Sequence, residues 1–186
     1  MTPAEYLAFE RASEQKHEYA DGEIFAMSGG TFEHSATATN LGRLLGNALE
    51  GRGCIALNSD MRVHIPATGR YVYPDGSVLC GAPEFTDEQR DTLLNPAVVI
   101  EVLSDSSEAY DRGEKFAQYR TVRSLREYVL ASRKAPRIEV FTRHEGGGWM
   151  LREYGPGERA TLESLGCTIA VDDVYRGVFV RAPAAG

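Results

Sequence analysis

The sequence predicts an α/β fold with a central mixed sheet and helices on its faces, preceded by an N-terminal helix and a β-hairpin. Three observations carry that expectation. Ala97 to Leu103 (AVVIEVL) is almost wholly apolar, the pattern of a strand covered on both faces. Leu41, Leu44, Leu45, Ala48 and Leu49 recur at helical spacing. Helix and hairpin come first, then a helix, strands, a helix and more strands, which mixes both element types along one chain. At 186 residues the chain is read as one domain over 1–186, long enough to bury a core without staples.

The elements follow in order. Pro3 suits a first helical turn, so Ala4 to Ala12 reads as a short helix. Asp21-Gly22 lies between the apolar runs around Tyr19 and Ile24, a strong hairpin signal. A helix runs from about Phe32 to Glu50, and Gly51 stops it. Ile55, Leu57, Met61, Val63 and Ile65 alternate and read as one strand with a bulge at Ser59-Asp60. Pro66 to Arg70 is a turn, Tyr71 to Cys80 a strand, and 82–95 a polar loop. After the Ala97–Leu103 strand, Ser104 to Ser107 is a turn able to cap a helix over Asp111 to Arg123. Glu127–Ala131, Ile138–Thr142 and Trp149–Tyr154 are strands, with Gly146-Gly147-Gly148 turning the chain before the last. Asp172 to Tyr175 closes the chain with a helical turn.

Composition excludes several classes. No apolar run approaches the roughly 18 residues of a membrane span. The acidic start has no hydrophobic signal core. Cys54, Cys80 and Cys167 are odd in number and lack metal-ligand or redox spacing, so three reduced thiols in a cytoplasmic protein are expected. The net charge of −7 argues against a nonspecific nucleic-acid coat, yet it is unevenly placed. Residues 112–143 hold nine basic and three acidic side chains inside an otherwise acidic chain. That segment is either a local phosphate surface or a solvated face.

The chemistry concentrates on two acids. Glu101 interrupts the most apolar strand, where an isolated charge must shift its pKa, pair or meet a cation. Asp75 follows Pro74 in another strand, 26 positions earlier, which leaves chain enough to turn and return alongside. Two carboxylates from neighbouring strands and a backbone carbonyl make a hard-oxygen site for magnesium or manganese. Lys115 follows on the next helix, with Arg112 and Tyr119 at helical spacing on its face. A metal, two acids and a lysine suit phosphoryl transfer. The competing reading is a buried ion pair that only organises the fold.

Particular stretches carry a family resemblance. They are Tyr19-Ala20-Asp21-Gly22-Glu23-Ile24, His34 at the head of a helix, Tyr73-Pro74-Asp75-Gly76-Ser77-Val78, and the run from Asn95 to Ser104. Asp111-Arg112-Gly113-Glu114-Lys115-Phe116 with Tyr119, and Glu127-Tyr128-Val129-Leu130, complete the set. From Thr2 to Val180 the chain resembles the Uma-two family, restriction-endonuclease-like proteins of the PD-(D/E)XK nuclease superfamily. The resemblance implies a restriction-endonuclease-like core and a metal-dependent endonuclease acting on nucleic acid, DNA foremost. It makes Asp75 and Glu101 the acids, with the Val102 carbonyl as a third ligand. The superfamily lysine stands two residues past the second acid. Leu103 occupies that place here, so Lys115 is the substitute. Glu23, His34, Arg112 and Tyr119 are candidates to support the site or touch substrate. Each has a plainer role open to it: solvated strand, helix cap, local pairing and core respectively. Asp60 is a turn residue or a third acid. Two copies would suit cleavage of both strands, so a homodimer is expected. The rival is an inactive nucleic-acid-binding or regulatory module on the same fold.

Overall fold

Thr2 and Glu5 form a reciprocal cap that opens α1 (Pro3–Ala12): each side chain accepts the other's backbone N–H. The protein is described by a computed structural model covering residues 1–105 and 107–179. Ser106 and the end of the expected domain, Val180 included, lie outside the described residues. The hairpin forms as expected from β1 (His17–Ala20) and β2 (Glu23–Ala26). Asp21 and Gly22 take φ of 53° and 91°, the left-handed pair that a two-residue hairpin turn requires. Thr31 caps α2 (Phe32–Ala48) by accepting the His34 N–H.

The stretch 55–65 departs from the expected single bulged strand. It is two strands, β3 (Cys54–Asn58) and β4 (Arg62–Ile65), in different sheets. Asp60 sits in the turn between them, with its carboxylate 2.6 Å from Lys16 Nζ, and is no third acid of the site. Likewise 71–80 divides into β5 (Arg70–Val72) and β6 (Gly76–Cys80), again in different sheets. Pro74 lacks an N–H and ends the first ladder, so the chain changes sheets at Tyr73-Pro74-Asp75. The 82–95 loop contains the short β7 (Thr92–Leu93).

Two larger sheets result. One has the order β2-β1-β5-β4-β7. The central one uses β8 (Val98–Leu103), β9 (Glu127–Ser132), β10 (Ile138–Arg143) and β11 (Trp149–Tyr154), in the order β11-β10-β9-β8-β6-β3. β8 runs parallel to β9 and antiparallel to β6, so the sheet is mixed. A further pair, β12 (Arg159–Leu162) and β13 (Cys167–Ala170), precedes α5 (Val171–Val174). Every β8 residue is buried. Val98, Ile100 and Val102 pack toward Leu41 and Leu45 of α2. Val99 and Leu103 pack the other way, toward Val63, Ile65 and Val72 of the second sheet. Glu101 belongs to this second face by the period-two rule.

The expectation of three reduced thiols is overturned. Cys54 and Cys80 stand opposite each other in the β3–β6 register and form a disulfide, with Cα atoms 4.1 Å apart; Cys167 is the buried free thiol. Sequence spacing is blind to such a pairing because it is the sheet register that brings the residues together. The cytoplasmic expectation loses its thiol argument. No helix of the described residues is long and apolar enough to cross a membrane.

Candidate functional site

β6 and β8 pair antiparallel, with Gly76 opposite Ile100. One further step of that register sets Asp75 opposite Glu101, and opposed residues share a face. The acids therefore meet at the end of β6, where the chain leaves for the other sheet. Asp75 Oδ2 accepts the Val102 N–H at 2.7 Å and bonds to His34 Nε2 at 3.1 Å. In a strand the N–H and C=O of one residue point the same way, so the Val102 carbonyl also looks past the end of β6. Glu101 Oε1 accepts the Tyr119 hydroxyl at 3.1 Å and lies 2.8 Å from Lys115 Nζ. Among the described residues no hydrogen bond reaches Asp75 Oδ1 or Glu101 Oε2. Each acid thus has one oxygen fixed and one left for another partner.

The lysine arrives on an irregular helix. α3 (Glu108–Tyr110) widens into a π turn (Asp111–Lys115) and continues as α4 (Phe116–Tyr119). The regular helix expected over Asp111 to Arg123 is therefore shorter and shifted. The wider turn aligns Asp111, Lys115 and Tyr119, four residues apart, on the side facing the acids; such turns recur at functional sites. Lys115 Nζ is 3.7 Å from both Asp111 Oδ1 and Glu18 Oε1. Glu18 is itself held by the Tyr73 N–H at 3.1 Å.

Burial and charge set the protonation. Burial pushes the Glu101 carboxyl up to about 8; Lys115 pulls against that, and the charges of Asp75 and Asp111 push with it. Burial also raises Asp111. For Lys115, burial alone favours loss of the proton, but Glu101, Glu18 and Asp111 outweigh it and hold the ammonium charged. The hydrogen bond to Asp75 lifts the His34 imidazole above its ordinary value, against partial burial.

Of the residues expected at the site, the structure brings together Asp75, Glu101, Val102, Lys115, His34 and Tyr119. Tyr119 is both core and site: it is fully buried, and its hydroxyl holds Glu101. Two candidates fall elsewhere. Glu23 is solvent-exposed on β2. Arg112 turns away to Glu139, with a second bond to Glu108, because the π turn rotates it off the Lys115 face. Much of the basic segment is also consumed in ion pairs: Arg133 and Lys134 with Asp105, and Arg137 with Glu139. The sequence reading gave no site role to Glu18, Asp111 or Gly30. Period two gave a signal for Glu18, since His17 and Tyr19 are buried on the opposite face of β1. Gly30 makes room for the histidine: a Cβ there would stand 2.7 Å from His34 Nδ1.

The residues brought together, Tyr119 excepted, line one recess of about 490 Å³ with Glu18, Asp111 and Gly30. Five carboxylates border it: Glu18, Asp75, Glu101 and Asp111 on the Lys115 side, and Asp105 beside Arg133. A family model described as "Putative restriction endonuclease", Uma2, matches residues 3–172. The chain belongs to the Uma2 family. Two uncharacterized proteins of Synechocystis sp. are similar along most of their length. One is 40% identical over 96% of this chain and 93% of its own; the other is 36% identical over 88% and 92%. Among solved structures, "a putative nuclease belonging to DUF820" from Anabaena variabilis superposes with a TM-score of 0.78. It covers 96% of this chain and 99% of its own at 16% identity, so it shares the fold. The Uma2 match spans every residue of the recess, from Glu18 to Arg133.

The donor set defines what the recess can hold. Among the described residues no three His, Cys, Asp or Glu side chains form a ready-made metal cage. Magnesium does not need one: it is commonly held by one or two carboxylates and keeps waters or substrate oxygens. Asp75 Oδ1, Glu101 Oε2 and the Val102 carbonyl are hard oxygens of that kind. The residues fit a magnesium or manganese ion on those grounds.

Proposed function

We propose that this Uma2 protein is a metal-dependent endonuclease that hydrolyses phosphodiester bonds in nucleic acid, DNA in the first place. The observation that carries the reading is the excess of carboxylates over cations around one buried lysine, with Glu101 and Asp111 buried and Glu18 and Asp75 half-buried. Four acids from three strand regions and a helical turn converge where, among the described residues, the only cation within ion-pairing distance of Glu101, Glu18 and Asp111 is Lys115. Fold maintenance alone gives no reason to gather such charge, because taking acids even partly out of water costs desolvation.

Asp75, Glu101 and the Val102 carbonyl would hold magnesium or manganese. Such an ion, when bound, polarises a phosphodiester and makes water a better nucleophile. The chain's own groups do the rest. His34 and the Val102 N–H fix the Asp75 carboxylate, and Tyr119 fixes that of Glu101, so both free oxygens keep one orientation. Lys115 orients the attacking water and offsets the negative charge that builds on the phosphoryl oxygens. It reaches the acids from the π turn because Leu103 points into the apolar core.

The deciding experiment is incubation of the pure protein with plasmid, single-stranded DNA and RNA in magnesium, manganese or EDTA. The expected result is cutting that needs the metal and is lost in Asp75→Asn and Glu101→Gln. Absence of cleavage with every metal and substrate would replace this reading with that of an inactive binding module.

A further inference from the structure

The acid recess is not a closed chamber. It shares Met27, Gly30, His34 and Asp75 with a cleft of about 630 Å³ between α2 and β3. Ala38, Leu41 and Leu45 of α2 and Ala56 and Ile100 of the central sheet wall that cleft, and Arg43 and Asn58 add polar groups. The cleft is of mixed character, with serine, threonine and asparagine groups beside this apolar wall, and a recess of this volume with both kinds of lining can hold a small heteroaromatic ring by packing on its face and hydrogen bonds at its edge. The banks of the connecting loop carry two exposed aromatics. Phe25, which borders the acid recess, is 51% exposed; Phe32, at the first position of α2, is 62% exposed.

Cations are scarce at the same place. Among the described residues, Lys115 and Arg133 are the cations bordering the acid recess; Lys115 is caged by acids and Arg133 is paired with Asp105. Arg43 stands at the cleft. Nonspecific grip on a duplex rests on several lysine or arginine contacts to phosphates, and this surface offers one or two. Unpaired strands are gripped differently, by bases stacking on aromatic faces and entering pockets. A base inside a duplex can reach neither the cleft nor Phe25.

Resting on the nuclease reading above, we infer that the substrate of this centre is a DNA strand unpaired at the point of cleavage. One base enters the cleft between α2 and β3, and a neighbouring base stacks on Phe25. His34 and Asp75 form the shared wall, which sets the scissile phosphate beside the two acids. A single unpaired strand needs one centre, so no second copy is required for cutting.

The test separates binding from cleavage. Fluorescence anisotropy of a labelled single strand and of its blunt duplex is measured in EDTA, then in magnesium with phosphorothioate strands. The single strand is expected to bind about tenfold tighter or more, with a log–log salt slope of about −0.7 to −1.4. Phe25→Ala should weaken single-strand binding by roughly 5- to 150-fold, the span of one base–aromatic stack. Gly42→Leu, which fills the cleft from a helical position with open space around it, should weaken it independently while α2 stays folded. Equal or tighter binding of duplex, or wild-type single-strand affinity in both variants, overturns the inference. Cleavage assays keep the two readings apart. Phe25-dependent binding of single strands without any cutting refutes the nuclease and spares the strand site. Equal cutting of duplex and single strand, unchanged in Phe25→Ala, does the reverse.

Discussion

Lys115→Met tests the electrostatic logic of the centre most directly. Methionine keeps most of the volume and removes the charge from a group with contacts of 2.8, 3.7 and 3.7 Å to Glu101, Glu18 and Asp111. At an effective dielectric near 20, Coulomb's law gives about 6 kcal/mol for a contact of 2.8 Å and about 4.5 kcal/mol for one of 3.7 Å. Desolvation of the ammonium cancels much of that sum, and breaking a buried pair on one side costs on the order of 3–5 kcal/mol. Urea unfolding in EDTA at alkaline pH should show a loss of that size. The loss should shrink as pH falls. An acid whose folded pKa exceeds its unfolded value binds the extra proton when folded, so stability falls as pH rises between the two values. For Glu101 that window runs from 4.5 to about 8, and without Lys115 its upper edge moves higher. The variant should therefore lose stability with pH more steeply than wild type. Magnesium should stabilise the variant more than wild type, because no ammonium then competes for Glu101. Wild-type stability in EDTA at alkaline pH, together with an equal magnesium increment, would refute the reasoning.

Other perturbations probe the remaining contacts. Isothermal titration should show magnesium or manganese affinity rising with pH through about 8, as Glu101 gives up its proton, and falling sharply in Asp75→Asn and Glu101→Gln. Gly30→Ala and His34→Ala should each weaken metal affinity or activity by about 10- to 100-fold, because both disturb the group that orients Asp75; an unchanged titration curve would remove His34 from the site. Reduction, or the change Cys54→Ser, should lower stability by about 3 kcal/mol for a loop of 26 residues, read as a fall in Tm; a Tm indifferent to reductant would show that the cross-link is absent. Arg112→Ala should destabilise by leaving the buried Glu139 short of a partner and should leave nucleic-acid affinity unchanged in a binding titration.

What the sequence made legible was set by range. Local chemistry was readable: the helix start at Pro3, the Asp21-Gly22 turn, the leucine stripe of α2 and the two-sided apolar strand β8 all formed as expected. Glu101 was conspicuous for the same reason, as one charge in an apolar run. Places where the chain passes between sheets were not readable, because alternation continues across them. Thus Ile55–Ile65 and Tyr71–Cys80 each looked like one strand and are two. Lys115 was legible as the lysine on the helix that follows the Glu101 strand, and the family resemblance, with Leu103 in the usual lysine's place, gave it its role. Asp111 and Glu18 were hidden because a π turn changes helical phase, and because β1 pairs with a sheet whose position the sequence does not reveal.

That π turn also bears on why a lysine can leave its strand. A lysine at position 103 would share the Glu101 face of β8, where Leu103 packs with Phe116, Tyr128 and Leu130. Restoring it there would bury an ammonium in that cluster with no acid of its own. From the π turn, Lys115 instead approaches Glu101 through a ring of acids that already solvate it, two of them, Glu18 and Asp111, outside the Asp75–Glu101 pair. Leu103→Lys combined with Lys115→Ala is the direct comparison of the two positions. The strand lysine should restore charge near Glu101 at the expense of the Phe116–Tyr128 stack, whose ring centroids are 4.8 Å apart. The double variant should therefore be less stable than Lys115→Ala alone by roughly 1–3 kcal/mol, the usual cost of overpacking a core. A double variant that is more stable than Lys115→Ala would mean that the leucine cluster does not exclude the cation, and that something other than packing moved the lysine to the helix.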